Sequence, residues 1–207
     1  MPYDNRGRAA AAHRTRSAIL AAARDSFLES GYAGTTIRAV AEAAGVSQET
    51  VYKRFGNKAR LLKDVYDVAM AGDEEPVPIA ARPQALAVRN AAGPAEAARA
   101  YAALSAWLVS RAGDLMRVVS SARGSDPDLD AFMTTVDAER LTGTTMATTA
   151  WDERGWLRPG LDRDRARDLV WTLNSPAVWM LLTERGWTNE EYEAWMAGAL
   201  AALVLAA

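Results

Sequence analysis

Every strong hydrophobic period in this chain is helical: apolar residues return after three or four positions, and no stretch alternates as a half-buried strand does. An all-α fold is the consistent reading. Ile19, Leu20, Ala23, Phe27 and Leu28 define a first amphipathic helix from Arg14, which Gly31 stops. Thr35 and Thr36 offer a cap to a short second helix striped by Ile37, Val40, Ala41 and Ala44, and Gly45 ends it. Val46 plugs the turn. Ser47 then caps a third helix with Val51 and Phe55 on its inner face, closed by Gly56 and Asn57. A linking helix continues through Leu61, Leu62, Val65, Val68 and Ala69 to Gly72. The segment GDEEPVPIAARPQ, with three prolines and an acidic start, reads as an extended loop. Beyond it the periods predict helices over 95–119, 129–150, 163–183 and 190–205, the third kinked by Pro176. Half of the 207 residues are hydrophobic, enough to bury a proper core. The expected organisation is an N-terminal domain over 1–60 and a helical domain over 61–207.

Two short helices joined by a glycine turn and followed by a small cap form the helix-turn-helix pattern, whose second helix enters the DNA major groove. Here that helix spans 48–55. With Val51 and Phe55 buried, about 100° per residue turns Glu49, Thr50 and Lys53 outward and leaves Gln48, Tyr52 and Arg54 at the margins. Tyr52 can offer its hydroxyl to a phosphate. Lys58 falls in the first turn of the next helix, where a cation opposes the helix dipole unless an anion lies nearby. Charge follows the same division. Residues 1–63 hold eleven Lys/Arg, among them all three lysines of the chain, against five Asp/Glu, while the whole chain has a formal charge of -2. A basic part that meets a polyanion and an acidic remainder that keeps the molecule soluble would look like this, and so would a solvated basic face; the local pattern decides for DNA. The arm from Arg6 to Arg16 has small side chains and no apolar stripe, so it is expected to order only on DNA.

The stretch TTIRAVAEAAGVSQETVYKRFGNKARLL resembles the N-terminal DNA-binding region of the TetR family of bacterial transcriptional regulators, in its paired threonines, its AGVS turn, the Tyr and Phe of the recognition helix and the following Lys. The match runs from Arg14 to Leu62. The resemblance implies that Thr36, Ser47, Tyr52 and Lys58 hold the DNA backbone, while Gln48, Thr50 and Lys53 face bases or adjacent phosphates. Glu49 departs from the family, where this position is often small; it either accepts from a cytosine amino group or points to solvent. The resemblance further implies a three-helix head followed by a variable helical domain that serves as ligand pocket and dimer interface. The function implied is that of a homodimeric repressor, released from a palindromic operator in double-stranded DNA by a small, mostly apolar ligand. A DNA-binding regulator without a small-molecule ligand, controlled by a protein partner, is the alternative.

Enzyme chemistry is poorly provided for. One histidine, His13, lies beside Arg14 in the basic arm, which cannot supply a Ser-His-Asp triad together with a multi-histidine metal site, and there is no cysteine. Asp126, Asp128 and Asp130 have calcium-loop spacing, but Ala131 stands where Gly is needed and Asp137 where the bidentate Glu belongs. A helix start with Pro127 in its first turn explains them better. No phosphate-cradling glycine loop occurs, and RDRAR at 163–167 alternates with acids as a solvated face does. No catalytic residue, cofactor or metal is expected. The first twenty residues lack an export-type apolar core, and the longest charge-free apolar stretch, thirteen residues from Trp195, is shorter than the roughly 18 that a membrane span needs. A soluble, cytoplasmic protein is expected.

The body carries seven tryptophans, all beyond residue 100. Thr142, Thr144, Thr145, Thr148 and Thr149 share a segment with Met146 and Trp151, which suits either a pocket for an apolar ligand or a core helix whose threonines bond back to their own carbonyls. The candidate pocket residues are Trp107, Met116, Phe132, Met133, Thr145, Met146 and Trp171. The last two helices have apolar residues around more circumference than one chain can cover, so a four-helix dimer interface is expected there, with Trp179, Trp195, Met196, Ala199, Leu200 and Leu203.

Overall fold

The computed structural model describes residues 5–75 and 77–206. The elements are α1 (Asn5–Gly34), α2 (Ile37–Ala43), α3 (Gln48–Phe55), α4 (Lys58–Ala71), a 3-10 turn (Ile79–Ala81), α5 (Pro83–Asn90), α6 (Pro94–Ser121), α7 (Pro127–Glu153), α8 (Arg163–Leu173), α9 (Pro176–Thr183) and α10 (Asn189–Leu203). No strand forms among the described residues; an isolated bridge joins Leu157 and Leu205. The fold is all-α, as the periodicity requires. The chain forms two compact units: the first runs to Ala69 and takes in Asp114–Met133, and the second comprises Met70–Gly113 with Thr134 onward. No helix among the described residues is long and apolar enough to cross a membrane.

In the first unit, Ile19, Leu20, Ala23 and Phe27 of α1 are buried together with Ile37, Val40, Val51, Phe55, Leu61, Leu62 and Val65. The stop expected at Gly31 is present: α1 breaks there with φ 68° and ψ −179°. Thr35 then donates to the Gly31 carbonyl through both its amide (3.2 Å) and its hydroxyl (2.8 Å). The basic arm differs from its expected disorder. It is a helical extension of α1 from Asn5, because the alanine run at 9–12 has the best helix propensity available and needs no apolar stripe to adopt it. Arg16 pairs with Asp64 at 3.2 Å.

The acidic turn between α6 and α7 also belongs to this unit. Asp126 accepts from the Tyr32 hydroxyl at 2.5 Å and from the Asp128 amide at 2.9 Å. Asp128 accepts from Asn57 at 2.7 Å, and Asp130 from the Gly124 amide at 3.1 Å. These carboxylates work as turn and helix-start groups, with Pro127 opening α7.

In the second unit the proline-rich segment is more structured than expected. Pro83 opens the eight-residue helix α5, since a proline lacks only an amide that would be unpaired in a first turn. The loop ahead of it is tied by Arg82, which grips Asp73 with two bonds of 2.5 and 2.7 Å and holds its carboxyl down at about 2. Trp151, Ala97, Ala98, Tyr101, Val170, Met196, Leu200 and Val204 make one core cluster, and Ala106, Val109, Trp179 and Tyr192 another. Gly113 is required by the second: a Cβ there would lie 2.4 Å from the Trp179 ring. The kink expected at Pro176 is a full break, with Asn174 capping α8 and Ser175 capping α9. Thr188 and Glu191 form a capping box that starts α10.

This packing corrects the interface expectation. Trp179, Met196 and Leu200 are buried within the unit's own core, because the face of α10 that carries Tyr192, Met196 and Leu200 faces inward. On α9 and α10 the exposed large apolar residues are Leu203 (48% exposed) and Leu181 (64%), with Trp195 and Ala199 partly covered.

Candidate nucleic-acid interface

The geometry of α2 and α3 follows from their caps. Thr36 has extended backbone angles and its hydroxyl accepts from the Ala39 amide at 3.1 Å, which starts α2. Gly45 at φ 67° reverses the chain, and the Val46 amide returns to the Ala41 carbonyl at 3.0 Å. Ser47 starts α3 by accepting from the Thr50 amide at 3.2 Å, and its hydroxyl lies 2.9 Å from that of Thr50. A capping hydroxyl still has its own proton to donate, so Thr36 keeps a donor for a phosphate, and between them the paired hydroxyls of Ser47 and Thr50 keep one more.

Burial of Val51 and Phe55 fixes the rotation of α3. Gln48, Glu49, Tyr52, Lys53 and Arg54 are exposed, Tyr52 by 50%, and Thr50 is half-buried beside Ser47. Glu49 lies in the first turn and Lys53 and Arg54 in the last, each on the side that the helix dipole favours. Glu49 therefore has a structural reason to be present. The exposed face is polar along its length and basic at its C-terminal end.

Lys58 stands differently from the expectation of a bare cation. Its ammonium donates to the carbonyls of Tyr32 (2.7 Å) and Thr35 (3.1 Å) and lies 4.2 Å from the centre of the Tyr32 ring. Those two oxygens belong to the end of α1 and the turn after it, so they supply the negative pole that resolves the conflict with the α4 dipole. Burial pulls the Lys58 ammonium below its ordinary value, with Asp126 opposing. The Tyr32 hydroxyl is pushed up, first by burial and then by its bond to Asp126. The sequence signal for this junction was Tyr32 directly after the Gly31 stop, which the helix-by-helix reading passed over.

The family model for bacterial regulatory proteins of the tetR family matches residues 19–65, which hold α2, α3 and most of the helices that support them. The HTH-type transcriptional regulator YdeS of Bacillus subtilis is 29% identical over 179 residues, 86% of this chain and 83% of YdeS. Residues 19–65 thus match the DNA-binding region of the TetR family. TtgR, an HTH-type transcriptional regulator of Pseudomonas putida, is 41% identical over 56 residues, 27% of each chain. Among solved structures, FadR from Bacillus subtilis in complex with stearoyl-CoA has a TM-score of 0.67 at 19% identity, covering 89% of this chain and 95% of FadR. FadR from Bacillus halodurans has a TM-score of 0.69 at 18% identity, covering 89% and 93%. The fold shared with these structures thus extends well beyond the head.

The candidate pocket residues are divided between the two units. Met116, Phe132 and Met133 are buried in the first unit, whereas Trp107, Thr145, Met146 and Trp171 belong to the second. Thr145 and Met146 are exposed, Met146 by 59%, because α7 turns this face outward. The threonines bond back to their own helix: Thr142 to Ala138, Thr144 to Arg140, Thr145 to Leu141 and Thr148 to Thr144, at 2.8 to 3.0 Å. The buried pair is Thr144 and Thr148, one register away from the residues expected.

Proposed function

We propose that the chain is a ligand-responsive repressor: a homodimer that holds a palindromic operator in double-stranded DNA and leaves it when a small, largely apolar molecule binds its body. The observation that carries the reading is the capped, exposed face of α3, with Gln48, Thr50 and Lys53 for bases and Thr36, Ser47, Tyr52 and Lys58 for phosphates. Residues 1–60 carry DNA binding and 61–207 carry effector binding and dimerisation. Dimerisation has support from the apolar side chains of Leu181 and Leu203 that one chain leaves uncovered, with Trp195 and Ala199 beside them. Effector binding has support from the fold neighbour FadR, which holds stearoyl-CoA, and from the polar groups buried in the second unit. The protein works in the bacterial cytoplasm, where its DNA is.

The test is to recover DNA bound by the full-length protein, then add a metabolite library and follow operator release. A native state that binds an effector gains stability as RT ln(1 + [L]/Kd), so melting shifts identify the effector independently. Operator binding that no compound alters would favour control by a protein partner.

A further inference from the structure

Helix α1 runs unbroken from Asn5 to Gly31, and two parts of it lack cover from the rest of the chain. The first is the arm, where every residue from Gly7 to Arg14 is exposed. The second is a groove of about 570 Å³ beside α2, in the same unit. Alanines line it, Ala18 and Ala22 from α1 with Ala39 and Ala43 from α2, and so do the carboxylates of Asp25 and Glu29. Asp25 stands 3.9 Å from Arg24 with both side chains more than half exposed, which makes a weak pair. Arg14 and Glu29 form no ion pair among the described residues.

At about 100° per residue, Ala11 and Arg14 of the arm fall on the same face of α1 as Ala18, Ala22, Asp25 and Glu29. One face therefore carries a small, basic helical segment followed by a small, acidic recess. The two are complementary: alanine against alanine lets helix axes approach closely, and arginine meets carboxylate. They cannot meet within one chain, because a helix rises about 1.5 Å per residue and holds Ala11 about 16 Å from Ala22 along the axis. An antiparallel second copy brings them together, each arm in the other's groove, so the contact is isologous. In that register Arg14 of each copy comes beside Asp25 of the other, and Ala18 beside Ala21.

We propose that the arm of one molecule seats in the α1–α2 groove of a second copy and joins the heads of neighbours bound to adjacent sites on DNA. This rests on the repressor reading for its DNA and goes beyond it. Arms of this length bury far less than the roughly 1,200 Å² of a stable interface, so the contact is weak in free solution. On DNA, neighbours are held at an effective concentration on the order of millimolar, where a weak contact counts. The consequence is cooperative occupation of adjacent operators.

The test uses the full-length protein on duplexes carrying one or two copies of a sequence that it selects from a random pool, the two sites stepped through one helical turn of spacing. At the best spacing the second site should fill about tenfold more tightly than the first. Asp25→Asn with Glu29→Gln should abolish that advantage and leave single-site affinity unchanged. Arg14→Glu should abolish it too, and Arg14→Glu with Asp25→Arg should restore it, as a direct contact between the two side chains requires. All three residues are exposed, so folding is not at stake. The chain has no cysteine, which permits a second readout without DNA. Ala11→Cys and Ser30→Cys proteins, mixed at high concentration, should be joined by a short bismaleimide, whereas His13→Cys, on the far side of the arm, should not be joined to Ser30→Cys. Two sites that fill independently at every spacing, cooperativity that survives Asp25→Asn with Glu29→Gln, or His13→Cys coupling as well as Ala11→Cys would each overturn the proposal. So would Arg14→Glu weakening single-site binding without rescue by Asp25→Arg, the result if the arm lies on its own phosphates. If no sequence is selected, the repressor reading fails, and the cross-link alone decides this contact.

Discussion

At the scale of single residues, the groups of the head divide by what else holds them. Tyr52 and Lys53 project from α3 with no intramolecular task, whereas Lys58 also ties together the end of α1 and the start of α4. Tyr52→Phe and Lys53→Ala should leave thermal stability almost unchanged. Lys58→Ala should weaken DNA binding and also lower stability by about 1 to 3 kcal/mol, since two carbonyls lose a charged donor. In binding titrations over a salt series, each lost phosphate contact should make the slope shallower by about one. Only Lys53→Ala should also change base preference. The Tyr32–Asp126 bond adds a pH signature. The Tyr32 hydroxyl, then the Asp128 amide, hold the Asp126 carboxyl below its ordinary range. A carboxylate depressed on folding stabilises above its unfolded value and loses that contribution as pH falls through the folded one. Tyr32→Phe should accordingly cost about 1 kcal/mol near neutrality, with the gap to wild type closing below about pH 4. A gap that stays constant into acid in urea melts would show that the carboxylate is not involved.

At the scale of elements, two glycines carry the geometry for opposite reasons. Gly45 supplies a left-handed turn, so Gly45→Ala should destabilise by about 1 kcal/mol. Gly113 supplies room inside a regular helix, and Gly113→Ala drives a methyl into the rigid Trp179 ring, which should cost about 1 to 3 kcal/mol. Both are measurable by urea denaturation. Gly45 was legible in the sequence because it falls where an apolar stripe ends and a cap begins. Gly113 was not, because its reason lies in Trp179, far along the chain. The same distinction governs the rest. Helices α2 and α3 were readable from local caps and stripes, and their exposed face followed from Val51 and Phe55. Helix α5 was hidden by prolines that read as loop, and the arm by alanines that form helix without burying anything. The inner face of α10 was misassigned because Tyr192, Met196 and Leu200 are as apolar as an interface and only packing within the unit distinguishes the two.

At the scale of the whole molecule, the interface expectation becomes a sharper experiment. Leu181→Glu and Leu203→Glu place a charge on exposed apolar surface and should yield folded monomers in sedimentation, with operator affinity reduced. Leu200→Glu places the charge in the core and should instead prevent folding. Dimeric Leu203→Glu and Leu181→Glu proteins would exclude this surface. A homodimer matters to function because one eight-residue recognition helix reads few bases, while a two-fold pair reads a palindrome. The most direct test of the central claim, that α3 reads DNA on behalf of a two-fold dimer, is selection of bound sequences from a random double-stranded pool by the full-length protein beside Lys53→Ala. The expected result for the wild type is a palindrome whose half-sites lie about 34 to 36 Å apart or a multiple of that, with a changed motif for the variant. Failure to enrich any sequence, or enrichment of the same motif by both proteins, would contradict it.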